Sequence, residues 1–117
     1  EAILVRDGFV TEGASTNTFI VESGVIVTPP LTNYILGGVT RAAVIEAARS
    51  LGMDVREESI PVERLLKADE VWATATVAEM MPIVSINGVA VGDGKPGPAF
   101  SRVYAEYVKM YSGGQNM

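Results

Sequence analysis

Three turn pairs constrain this chain more than any other feature. Asp7-Gly8, Ser23-Gly24 and Asn87-Gly88 each sit between short, apolar-rich stretches that read as extended. Such pairs reverse the chain at little steric cost, because glycine enters the left-handed region freely and Asn or Asp tolerates it. The flanking stretches are therefore expected to pair as antiparallel hairpins. Residues 2–6 and Phe9 to Thr11 flank the first pair, and Asn17 to Val21 and Val25 to Thr28 the second. Pro82 to Ile86 and Val89 to Val91 flank the third. Pro29-Pro30 stops the second hairpin, since proline donates nothing to a ladder.

After an irregular loop from Leu31 to Gly38 the period becomes helical. Val44, Ala47, Ala48 and Leu51 fall at i, i+3, i+4 and i+7, with Thr40 as the expected N-cap and Gly52 as the stop. A strand from Met53 to Glu57, a short helix from Val62 to Lys67 and a strand from Glu70 to Thr76 follow. Trp72 reads as core. Gly92 to Gly97 is expected to be a structural loop, with Asp93 and Lys95 in a solvated turn. Pro98 opens a last helix whose packed face carries Phe100, Val103, Tyr104, Tyr107 and Tyr111. The predicted class is α+β (mixed α/β), one domain of largely antiparallel strands with two main helices, and a disordered tail over 112–117.

Composition narrows the chemistry. The 117 residues suit one core and contain neither histidine nor cysteine. Ser-His-Asp and Cys-His nucleophile systems, disulfides and zinc sites of the usual nitrogen or sulfur type are thereby excluded. With 9 basic against 14 acidic side chains the net charge is −5, a poor match to a phosphate backbone, so no nucleic-acid partner is expected. Charges and glycines interrupt every apolar stretch before membrane-spanning length, so no membrane partner is expected either. Glu1-Ala2-Ile3-Leu4-Val5 reads as a strand entered midway, and the chain is expected to be a piece of something longer.

Three segments carry candidate chemistry. Thr11-Glu12-Gly13-Ala14-Ser15-Thr16-Asn17 puts a carboxylate at a strand end before small polar residues, and its plain alternative is a solvated glutamate beside a turn. Gly37-Gly38-Val39-Thr40-Arg41 runs glycines into a helix start, where free N–H groups and a hydroxyl favour an anion. A threonine cap without ligand is the alternative there, and Arg41 opposes the dipole unless an anion lies nearby. Thr74-Ala75-Thr76-Val77-Ala78-Glu79 leaves a strand through small side chains, which admit a ligand or simply make a bend.

Together and in this order, the segments and Gly92-Asp93-Gly94-Lys95-Pro96-Gly97-Pro98 resemble the fold-type IV pyridoxal-phosphate enzymes. That family includes branched-chain and D-amino-acid aminotransferases and aminodeoxychorismate lyase. The resemblance implies the larger, C-terminal domain of the D-amino-acid aminotransferase-like fold over 1–111, with pyridoxal 5'-phosphate as cofactor. It assigns Glu12 to the pyridine nitrogen, Leu36 to one face of the ring, and Val39, Thr40 and Thr76 to the phosphate. Val77 and Ala78 would face substrate, and Ser15, Thr16 and Asn17 would line the same neighbourhood. The implied partners are an amino donor, a 2-oxo acid acceptor and a second subunit in a homodimer, in the cytoplasm.

One departure stands out. The family's Schiff-base lysine lies a few dozen residues before the glutamate motif, but only eleven residues precede Glu12 and none is lysine. Lys67, Lys95 and Lys109 match no catalytic position, so no catalytic residue is assigned in this chain. The expected reading is the cofactor-binding part of an aminotransferase, inactive without an N-terminal domain or chain that brings the lysine. The alternatives are a lyase of the aminodeoxychorismate-lyase type and a non-catalytic module that binds anions or serves assembly.

Overall fold

Asp7-Gly8 lies between β1 (Ile3–Arg6) and β2 (Phe9–Gly13), which pair antiparallel with Arg6 opposite Phe9. Ser23 and Gly24 take φ values of 50° and 83° and turn β3 (Thr16–Glu22) into β4 (Val25–Thr28). The Asp69 carboxylate accepts the Ser23 N–H at 2.8 Å and so supports this turn from elsewhere in the chain. The computed structural model describes residues 3–6, 9–13, 16–30, 39–75 and 79–112.

Helix α1 (Val39–Ser50) leads to β5 (Val55–Glu57), which lies parallel to β4 with Thr28 opposite Glu57. A parallel pair needs a crossover of this length, and α1 supplies it. The helix ends in a Schellman motif around Gly52 at φ 78°: the Met53 N–H reaches the Ala48 carbonyl at 3.2 Å and the Gly52 N–H the Arg49 carbonyl at 3.0 Å. Gly52 is thus the stop that the pattern predicts. β6 (Ile60–Pro61) pairs with β2, and α2 (Val62–Lys67) follows directly.

β7 (Glu70–Ala75) inserts beside β3, and β8 (Glu79–Ile83) lies on its far side. The five-stranded order is β5-β4-β3-β7-β8, antiparallel except for β4 and β5. The stretch expected as one strand from Pro82 divides: β8 stays with β7, while β9 (Ser85–Ile86) and β10 (Val89–Ala90) close a separate hairpin at Asn87-Gly88. α3 (Pro98–Tyr107) continues as a π-helical turn over Val108–Ser112, one residue into the expected tail.

The central strands are buried on both sides. On one side Phe19, Val21 and Trp72 pack with Val44, Ala47 and Ala48 of α1 and Val103 and Tyr107 of α3. On the other, Ile20, Val27 and Val71 meet Ile60, Leu65, Ala68 and Val91. Trp72 is fully buried, as its type predicts, and stacks on Phe19 with ring centroids 5.6 Å apart. Tyr104 departs from the expected packed face: it is 45% exposed and lies flat against Phe100, whose ring reaches Trp72 edge-on. The core stripe of α3 is Ala99, Val103 and Tyr107, and Tyr104 falls outside that arc. Arg64 of α2 binds Glu22 through two nitrogens, at 3.0 and 2.6 Å, and this guanidinium holds the Glu22 carboxyl below the usual carboxylate range. Among the described residues no helix is long and apolar enough to cross a membrane.

Candidate functional site

Buried polar side chains gather at one end of the five-stranded sheet. Asn17, Thr18, Thr28, Thr40, Arg41 and Thr74 are all buried. The register brings them to one edge. Thr16 is opposite Ala75, Ala75 opposite Glu79, and Thr28 opposite Glu57, so β3 and β8 begin where β4, β5 and β7 end. The first turn of α1 joins them there, because Arg41 donates from Nη2 to the Pro29 carbonyl and to Glu57 Oε1, both at 3.0 Å.

Only part of this polarity is satisfied from within. The Thr28 hydroxyl donates to the Thr18 carbonyl at 2.7 Å. Among the described residues, the hydroxyls of Thr18 and Thr74 and the Nε of Arg41 are buried without a hydrogen-bond partner, as is Trp72 Nε1 farther along the sheet. Alternation along β3 and β7 puts Thr74 on the face that carries Trp72 and α1 and Thr18 on the opposite face. An unpartnered buried hydroxyl costs on the order of 1–3 kcal/mol, so each calls for an explanation. At the same end of the sheet, the first N–H groups of α1 lack partners within the helix and sit at the positive end of its dipole.

Among the expected site residues, Val39 is the first residue of α1 and Thr40 the second. Thr40 is therefore inside the first turn, buried, and not the N-cap that the sequence pattern predicts. Gly38, which precedes the helix, lies outside the described residues. Glu12 stands in β2, four residues before β3 begins, a chain reach of at most about 14 Å. Thr76, Val77 and Ala78 lie outside the described residues, between Ala75 and Glu79, which pair across β7 and β8 at this edge. Leu36 lies outside them too, in the segment between Pro30 and α1. Arg41 finds its anion in Glu57, which removes the conflict with the helix dipole.

Residue patterns do not single out Glu57 or Glu70. Glu57 is exposed at a strand end and acquires its role only when α1 folds back over β4 and β5. Glu70 is buried at the start of β7 and accepts the N–H groups of Ala99 at 3.0 Å and Phe100 at 2.8 Å. It caps α3 from another element, in place of the side-chain cap that Gly97 does not supply. The one signal in the sequence is a helix start, Gly97-Pro98, without any Ser, Thr, Asp or Asn beside it.

A groove of about 770 Å³ lies at the opposite end of the sheet, by the Ser23-Gly24 turn, between Gly52, Asp69, Lys95 and Arg102. None of the expected site residues among those described lines it.

Known proteins share both the sequence and the fold. The family described as amino-transferase class IV matches residues 1–86. The chain is 45% identical over 103 residues to D-alanine aminotransferase of Bacillus licheniformis, covering 88% of this chain and 36% of that protein. It is 41% identical over 107 residues to branched-chain-amino-acid aminotransferase of Escherichia coli K12, covering 92% of this chain and 35% of the relative. Among solved structures, a T.th. branched-chain amino acid aminotransferase complexed with N-(5'-phosphopyridoxyl)-L-glutamate superposes with a TM-score of 0.90 at 36% identity. That match covers 97% of this chain and 38% of the other. The chain thus spans little more than a third of the length of these relatives. With the class IV family matching most of its length and its α+β fold shared with solved aminotransferases, the chain belongs to the class IV, fold-type IV aminotransferase family.

Proposed function

We infer that this chain is the cofactor-holding part of a pyridoxal-phosphate-dependent aminotransferase. Residues 1–111 form the domain that holds the cofactor, and an N-terminal domain or chain contributes the lysine. The whole protein would move an amino group between an amino acid or amine and a 2-oxo acid, as a cytoplasmic homodimer. The observation that carries this reading is the buried polar end of the sheet, where the α1 start with Thr40 and, two strands away, the Thr74 hydroxyl are both buried.

These groups fit an anionic phosphate. Backbone N–H groups of Val39 and Thr40, aided by the helix dipole, offer donors fixed in direction. The Thr40 hydroxyl would add one more, and Thr76, which follows β7 in sequence, would supply a further hydroxyl. Leu36 would pack on the ring, and Val77 and Ala78 would offer backbone N–H groups to substrate. When bound, the pyridine ring of the cofactor withdraws electrons from the substrate carbon that loses its proton. Glu12 keeps a proton on the ring nitrogen, because a nearby carboxylate stabilises the charged form. A buried edge also excludes water, which strengthens each of these interactions.

The named relatives, D-alanine and branched-chain-amino-acid aminotransferases, support transfer over elimination. In the full-length polypeptide, Glu12→Ala is expected to retain cofactor absorbance and lose about a hundredfold or more in turnover. Unchanged turnover would remove Glu12 from the ring nitrogen.

A further inference from the structure

Arg41 is an unusual neighbour for an anion cup. It follows Thr40 in the first turn of α1, its side chain is only 6% exposed, and its charge is spent on Glu57. A single nitrogen, Nη2, holds both the Glu57 carboxylate and the Pro29 carbonyl. Pro29 lies just past the end of β4, and Glu57 ends β5. The guanidinium therefore ties the start of α1 to the ends of two strands.

The arrangement is a poor device for stability. Burying a guanidinium costs solvation that one ion pair rarely repays, and an apolar side chain of similar size would avoid that cost. Arg41 carries an additional cost, since its Nε is buried with no acceptor among the described residues. What the clamp does supply is geometry. With Arg41 fixed at both contacts, the first turn of α1 cannot rotate or slide along the strand ends. The direction of the Val39 and Thr40 N–H groups and of the Thr40 hydroxyl is set with it.

We propose that Arg41, neutralised by Glu57, is a positioning residue that aims the α1 N-terminus at the cofactor phosphate and is not itself a phosphate ligand. This rests on the reading of the α1 start as the phosphate cup. Its electrostatic consequence is specific. If Arg41 bound the phosphate directly, Glu57 would compete for the cation, and neutralising Glu57 would tighten phosphate binding. If Arg41 positions the turn, neutralising Glu57 loosens the clamp and weakens phosphate binding.

The test compares pyridoxamine 5'-phosphate with pyridoxamine, two probes that need no covalent link to lysine. Both are titrated into the full-length polypeptide and its Glu57→Gln, Arg41→Lys and Thr40→Ala variants by calorimetry, with thermal midpoints measured alongside. Glu57→Gln and Arg41→Lys are expected to weaken the phosphorylated probe by about tenfold, the size of one misdirected hydrogen bond, and to leave pyridoxamine unchanged. Loss of affinity for both probes in proportion to a lowered thermal midpoint would reduce Arg41 to a structural part and overturn the proposal. So would tighter or unaltered binding of the phosphorylated probe to Glu57→Gln. Thr40→Ala separates the two levels: if it leaves the phosphorylated probe unaffected, the phosphate-cup reading fails and the positioning role fails with it.

Discussion

Glu70 and Ala99 are 29 residues apart in sequence, yet the buried Glu70 carboxylate accepts the Ala99 N–H at 3.0 Å. With Phe100 held at 2.8 Å by the other oxygen, one strand residue caps the helix that packs over the strand's own face. A helix start satisfied in this way ties the position of α3 to β7.

The cap gives a coupled prediction. Glu70→Ala leaves two N–H groups at the α3 start without their acceptor and is expected to cost about 2–3 kcal/mol in urea unfolding. A Cβ added at Gly97 would collide with the Glu70 carboxylate carbon, so Gly97→Ala is destabilising in the native background. In the Glu70→Ala background that collision is gone, and the cost of Gly97→Ala is expected to fall by about 1 kcal/mol or more. Equal costs in the two backgrounds would mean that the glycine is needed for another reason.

The Glu22–Arg64 pair predicts a pH dependence. Arg64 lowers the Glu22 carboxyl below its ordinary value of 4.5, chiefly by hydrogen bonding and further by charge. A depressed folded-state value means stability that is fully present above about 4.5 and is lost as pH falls through the folded value. Each side chain keeps 33% of its surface exposed, so the contribution stays below about 1 kcal/mol. The stability gap between the parent and Glu22→Gln, measured by urea unfolding, should be open at neutral pH and close in acid. A gap that persists unchanged at low pH would assign it to packing.

The orphaned hydroxyls predict a trade between stability and binding. Thr74→Val replaces a buried, unpaired hydroxyl by a methyl group of similar volume and is expected to raise ligand-free stability by up to about 1 kcal/mol. The same variant should weaken pyridoxamine 5'-phosphate by about threefold or more, if the hydroxyl meets the ligand or its water. Thermal midpoints with and without that probe measure both effects. Destabilisation in the ligand-free state would show that the hydroxyl has a partner inside the fold.

Much of the framework is legible in the sequence because its causes are local. Ser23-Gly24 makes its turn through backbone preference, and Gly52 ends α1 through the left-handed conformation it adopts without strain. Alternation in β3 and β7 reflects which side of a pleat each side chain takes. Thr40 lies deeper in α1 than its pattern predicts, because the glycines before it give no side-chain signal for where the helix starts. Tyr104 leaves the packed face because a tyrosine at helical spacing also fits its margin, where it covers Phe100 and stays in contact with water.

The sequence by itself determined the hairpins, the helices, the absence of histidine and cysteine chemistry, and the family whose motifs run from Glu12 to Pro98. Only the tertiary structure decided which charges meet: Arg41 with Glu57 across 16 positions, and Glu70 with the α3 start across 29. It also decided that buried hydroxyls from β3, β4, β7 and α1 share one sheet edge. The physical reason is range. Turn and helix preferences act over a few residues, whereas burial and charge pairing depend on strand order and register, which bring distant residues into contact.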